Sequence, residues 1–141
     1  MKVLFLDIDG VMNSSESARA NGTYDVLVPT ALAWLKSLSD AGIKVVVSST
    51  WRKRYGRGQL SNKLGVPVHD VTPILPWNPK VVRGDEIAAW LEKNPEVTSF
   101  AIIDDDSDML DKQRPFFVHT DTSFGMQKEH FDQLCKLLQV G

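Results

Sequence analysis

Cysteine is all but missing from this sequence: Cys135 stands alone, which excludes an internal disulfide and fits a reducing, cytoplasmic setting. It falls in the apolar pattern of Phe131, Leu134, Leu137 and Leu138, which predicts a buried, inert thiol. No apolar run approaches the roughly 20 residues that cross a bilayer, so a spanning helix is excluded and no membrane partner is expected. The N-terminus carries one lysine and then a strand-like run ending in acids, a poor match to a signal peptide. Histidine is scarce, and His69, His119 and His130 lack metal-ligand spacing; packing or surface roles are expected for them. Excess charge is lacking too, and a net −2 provides no global drive toward nucleic acid. Repeats and low-complexity segments are absent. What remains is an ordinary globular composition, 43% hydrophobic and 24% charged, of a length suited to a single domain over residues 1–141.

Within that composition, apolar runs alternate with helical patterns. Lys2–Leu6, Ile43–Val47, Ser99–Ile103 and Phe116–His119 read as strands, with Val66–Val68 as a further small one. Pro29–Ala41, with Pro near its start and Gly42 after its end, reads as an amphipathic helix. Gly84–Lys93 and Lys128–Gln139 read as helices, and Trp51–Leu64 as a basic, partly helical connection. A short helix is expected after the acidic run at Asp104, while Asn13–Val28 and the Pro-rich His69–Pro79 read as loops. Strand and helix alternating along the whole chain predict an α/β fold with a mainly parallel central sheet.

Such sheets bind ligands beyond the carboxyl ends of their strands. Three runs end there in polar groups: Asp7 and Asp9 after the first, Ser48, Ser49 and Thr50 after the second, Asp104 and Asp105 after the third. Carboxylates brought together at one edge repel one another unless a cation or a proton lies between them. A hard cation such as Mg²⁺ takes oxygen ligands from one or two carboxylates, waters and a phosphate, and would hold Asp7 and Asp104 together. Phosphoryl transfer then follows as a chemistry. Asp7 can attack phosphorus, and Asp9 can protonate the leaving oxygen and then activate water. Charge spread over the phosphoryl oxygens calls for hydroxyl, amide and cationic donors, supplied by Ser49, the backbone at Ile8 and Asp9, and a lysine or arginine.

Four ordered stretches carry a family resemblance: Asp7-Ile8-Asp9-Gly10-Val11, Val45-Val46-Val47-Ser48-Ser49, a basic residue before the helix of Arg83-Gly84-Asp85-Glu86-Ile87, and Ile102-Ile103-Asp104-Asp105-Asp106-Ser107-Asp108. Together they resemble the haloacid dehalogenase (HAD) superfamily of phosphotransferases. More narrowly, FLDIDGVMN, SSTWR and RGDEIAAWL look like the small HAD domains of RNA-repair proteins. AIIDDD is similar to the phosphatase domain of polynucleotide kinase–phosphatases. The resemblance implies a three-layer, Rossmann-like fold and Asp7 as nucleophile and metal ligand. It implies Asp9 as acid and base with its backbone carbonyl on Mg²⁺, Ser49 on the phosphate, Asp104 completing the metal site, and Asp105 or Asp108 supporting it through water. Ser48 is the alternative to Ser49. Arg83 or Lys80 fills the basic position; Arg83 directly precedes the helix, although HAD enzymes commonly use lysine there.

HAD caps are inserted after the first motif or before the third, and Val11–Val28 and Val66–Lys80 are too short for one. A site with no sizeable cap admits a chain end. The cluster Arg52, Lys53, Arg54 and Arg57 follows the serines and reads as an anion-steering patch, with Trp51 and Tyr55 placed to stack on a base or to pack in the core; Arg19 reads as an exposed loop residue. These features favour a phosphorylated RNA or DNA end, such as a 3′-phosphate, as the substrate. The competing readings are a small-metabolite or nucleotide phosphatase, a metal-dependent nuclease, and a non-catalytic phosphate-binding module.

Overall fold

The computed structural model describes residues 1–141. The elements run β1 (Lys2–Leu6), α1 (Ser15–Asn21), α2 (Pro29–Asp40), β2 (Lys44–Val47), α3 (Arg57–Leu64), β3 (Val68–Val71), α4 (Arg83–Lys93), β4 (Ser99–Asp104), β5 (Phe117–His119) and α5 (Lys128–Leu138). Two 3₁₀ turns, Thr50–Lys53 and Asp111–Phe116, complete them. All five strands are parallel, in the order β3-β2-β1-β4-β5.

Side-chain alternation divides the sheet between two cores. Leu4, Leu6, Val45, Val47, Ala101 and Ile103 face the larger one, which α2, α3 and α5 cover through Leu35, Leu38, Leu60, Leu64, Leu134 and Leu138. Val3, Phe5, Val46 and Ile102 face the smaller one, covered by Ile87 and Trp90 of α4 and by Met109. Helices on both faces make the predicted three-layer α/β fold. The chain leaves β1 toward β2 over one face and returns from β3 to β4 over the other. That reversal opens a crevice at the carboxyl ends of β1 and β4.

Three expectations shift. Asn13–Val28 holds a short helix, α1, which buries no residue and so leaves no apolar period to read. It starts because the Ser14 hydroxyl accepts from the Ser17 amide while Ser17 Oγ accepts from the Ser14 amide. The small strand lies at Val68–Val71, so His69 belongs to it and not to the Pro-rich loop. Cys135 is half-buried against the larger core, with burial pushing its thiol pKa up. No helix is long and apolar enough to cross a membrane.

Candidate active site

Register places the acids. Leu6 pairs with Ile103 across the β1–β4 ladder, and the Asp7 amide donates to the Ile103 carbonyl at 3.1 Å. The next step along both strands therefore sets Asp7 beside Asp104. Oxygens of Asp7, Asp104 and Asp105 lie within 4.8 Å of one another. Asp105 comes this close because Gly10 has no side chain: a Cβ there would fall 2.0 Å from Asp105 Oδ2, and its φ of +79° also disfavours any other residue. Thr122 Oγ1 donates to the same Asp105 oxygen at 2.7 Å.

Arg83, at the first position of α4, answers part of this charge. One nitrogen, Nη1, donates to Asp104 Oδ2 at 2.7 Å and to Asp7 Oδ1 at 3.0 Å. Burial works against the guanidinium charge, but Asp7 and Asp104 outweigh it and hold the Arg83 pKa above its ordinary range. Arg83 does not balance three acids. Burial, then the neighbouring Asp104, pushes the Asp7 carboxyl up to about 9, and burial raises Asp104 as well. An all-oxygen set whose carboxylates are so reluctant to ionise fits a hard divalent cation, with Asp7, Asp104 and Asp105 as the carboxylates that would hold it. Lys80, by contrast, is exposed in the turn closed by Asn78. The geometry thus brings Arg83, not Lys80, to the acids. Asp108 sits behind, with Oδ2 accepting from the Arg83 amide at 3.2 Å.

Asp9 lies outside the carboxylate cluster. Its side chain is exposed, yet Oδ1 accepts from Asn13 Nδ2 at 2.9 Å and from the Trp51 indole Nε1 at 3.1 Å. The other oxygen has no hydrogen-bond partner in the protein. No backbone amide donates to the Asp9 carbonyl, which is the atom the resemblance assigns to a metal. Asn13 is fully buried and also accepts from the Gly10 amide and donates to the Tyr24 carbonyl, so it fixes the whole turn. The only sign of Asn13 in the sequence is its place three residues after the glycine of the Asp-x-Asp-Gly turn.

The two serines differ in setting. Continuing the alternation of β2 puts Ser48 on the side of Val46, as Asp7 lies on the side of Phe5. The Ser48 hydroxyl is buried without a partner, whereas Ser49 Oγ accepts from the Trp51 amide at 3.1 Å and caps the 3₁₀ turn. Of the two serine hydroxyls, that of Ser48 is thus the one without a partner.

The basic cluster also divides. Arg52 is not on the surface: its side chain is 2% exposed, pairs with Glu86 at 2.9 Å, and donates to the carbonyls of Ser48, Ser49, Thr72 and Pro73. It ties the serine loop to the Pro-rich loop and has no donor left for substrate. Arg54 lies over the rings of Trp51 and Tyr55 at 5.6 and 5.1 Å, and Lys63 covers Tyr55 at 4.4 Å. Trp51 is moreover buried and Tyr55 half-buried, so neither presents an exposed ring. Arg57 donates to the His69 carbonyl. Lys53 alone of the four lines a groove that reaches Arg83 and Asp108. Arg19 is exposed at the end of α1. His119 contacts the Asp105 carbonyl, and His130 Nδ1 accepts from the Gln127 amide, so neither joins the acids.

No curated protein and no solved structure matches the chain significantly. The family model for the HAD domain in Swiss Army Knife RNA repair proteins matches residues 3–131, which include every acid, serine and arginine of this site. On that match, joined to the all-parallel fold and the convergence at its switch point, the chain belongs to this HAD domain family.

Proposed function

We propose that this protein is a Mg²⁺-dependent phosphomonoesterase that works through an aspartyl-phosphate on Asp7 and acts on phosphorylated polynucleotide ends, such as a 3′-phosphate. The observation that carries it is the contrast in setting between two acids of one turn. Asp7 is buried among acids beside Arg83, and Asp9 is exposed and held by two donors.

In the first half-reaction an Asp7 oxygen bonds to phosphorus as the bond to the leaving oxygen breaks, and Asp9 gives that oxygen a proton. In the second, water attacks phosphorus, Asp9 takes its proton, and the bond to Asp7 breaks to release inorganic phosphate. Arg83 and the Ser48 hydroxyl donate to phosphoryl oxygens as charge spreads over them. Mg²⁺, when bound, supplies the positive charge that keeps the Asp7 carboxylate ionised and withdraws charge from the phosphoryl group. Support for a chain end comes from the family's association with RNA repair and from the segment after the first motif, which holds α1 and no globular cap.

The test is phosphate release from a 3′-phosphorylated oligonucleotide, with and without EDTA, beside trapping by beryllofluoride. Release that needs Mg²⁺, together with beryllofluoride that inhibits the wild type and binds it but not Asp7→Asn by calorimetry, is the expected result. Cleavage of internal phosphodiesters in place of phosphate release would move the protein to the nucleases.

Trp51 acts here as a positioning residue. Trp51→Phe keeps the buried ring but removes the indole donor to Asp9, and is expected to lower kcat about tenfold with KM and Tm nearly unchanged. Steady-state kinetics beside a melting curve checks this.

A further inference from the structure

One aromatic side chain near the site has no packing role. Trp77 is 89% exposed, with Ile74, 56% exposed, on the same loop. Single exposed apolar residues are common, but two large ones on one loop bordering a groove mark a candidate binding surface. Trp77 lines a groove of about 420 Å³ whose walls also include Lys53, Val82, Glu86 and two residues of the site, Arg83 and Asp108. The groove is thus continuous with the candidate active site.

The loop that displays Trp77 is braced. Arg52 donates to the Thr72 and Pro73 carbonyls at its start, and the Leu75 amide donates to Glu86 Oε2 at 3.2 Å. Asn78 closes its far end, accepting from the Lys80 amide through Oδ1 and from the Val81 amide through its carbonyl. Pro73, Pro76 and Pro79 fix φ at three positions between these anchors. A platform held in this way loses little conformational freedom when something stacks on it.

The ring and its neighbours select the occupant. Glu86 in the groove wall is paired with Arg52, and Arg83 with Asp7 and Asp104, which leaves Lys53 as the cation beside an exposed π-face, a combination that holds an unpaired base and one adjoining phosphodiester. A second cleft, which includes Asp105 of the site, has Asp121 and Glu129 among its walls and no lysine or arginine, which disfavours a polyanion there.

We infer that the Trp77 groove is a base-stacking subsite: a single-stranded polynucleotide presents its terminal phosphate to Asp7 and lays an adjoining base on Trp77, with Lys53 at the backbone. This rests on the phosphatase reading above and adds to it a chain-length requirement.

The experiment compares kcat/KM for a nucleoside 3′-monophosphate with that for tri- and hexanucleotide 3′-phosphates, as RNA and as DNA, in wild type, Trp77→Ala and Trp77→Phe. Anisotropy of a labelled trinucleotide 3′-phosphate on Asp7→Asn protein reports binding without turnover. Wild type is expected to gain about tenfold or more from mono- to trinucleotide. Trp77→Ala should lose that ratio and weaken binding similarly, while Trp77→Phe keeps most of both. If the gain persists in Trp77→Ala, the subsite is overturned while the polynucleotide reading stands. If aryl phosphates are hydrolysed and no oligonucleotide is, the polynucleotide reading itself fails. If Trp77→Ala leaves the ratio intact and converts a dimer to a monomer by light scattering, the patch belongs to a second copy of the chain.

Discussion

Asp7→Asn is expected to lower phosphate release by at least about 10⁴-fold, the scale seen when a nucleophile is removed from a preorganised site. It is also expected to make the metal-free protein more stable. Both results follow from one arrangement. Asp7 is 4% exposed and its carboxyl is held near 9, against an ordinary value of 3.8. Between those two pH values the unfolded chain has released the Asp7 proton and the folded chain still holds it. The native state then binds more protons, so unfolding free energy falls as pH rises, by at most about 1.4 kcal/mol per unit for one proton. This contribution is fully present below pH 3.8 and is lost as pH climbs through about 9. Asparagine has no such proton and removes the repulsion with Asp104. Calorimetry in EDTA from pH 5 to pH 9 should therefore show Asp7→Asn melting higher than wild type by roughly 5 °C or more at the alkaline end. Adding Mg²⁺ should flatten the wild-type slope, because a cation favours the ionised carboxylate. A wild-type melting profile as flat in EDTA as in Mg²⁺ would sink this account of the acids.

Such a site was largely legible because strand runs carry their own signal. Val45–Val47 and Ile102–Asp104 are continuous apolar stretches that end in polar residues, and the parallel sheet brings those ends together. What was not legible depended on contacts distant in sequence or on one step of register. Ser48 and Ser49 are both serines at a strand end, and only the alternation of β2 against β1 separates a free hydroxyl from a capping one. α1 is stabilised by a cap and not by burial, so hydrophobic periodicity is silent there. Trp51 and Tyr55 sit among cations in sequence and were the natural candidates for stacking, but the fold turns Trp51 inward onto Asp9. The open ring is Trp77, in a stretch whose prolines read only as loop.

Arg52 is the largest departure from the sequence reading, and it carries the largest expected effect on stability. Within a run of basic residues nothing distinguishes it, because its partner Glu86 lies on α4 and its carbonyl acceptors on two separate loops. Burial lowers the Arg52 pKa and Glu86 opposes that shift, as expected for a charge taken out of water and then paired. The pair need not stabilise the fold relative to well-packed apolar residues, since desolvation offsets much of the attraction. Removing one member is different. Arg52→Ala leaves Glu86, whose side chain is 14% exposed, without its counter-charge, and removes the side-chain donor from four backbone carbonyls, of which Ser49 keeps the Arg52 amide. A loss of about 3–5 kcal/mol is expected, measured as a shift in the urea midpoint. Glu86→Gln keeps the Arg52 bonds to all four carbonyls and should cost clearly less. Because Arg52 joins the loop of Ser48 to the loop of Trp77, Arg52→Ala should also weaken oligonucleotide turnover at temperatures where it remains folded. Equal stability of Arg52→Ala and wild type would return Arg52 to the surface patch that its neighbours in sequence suggest.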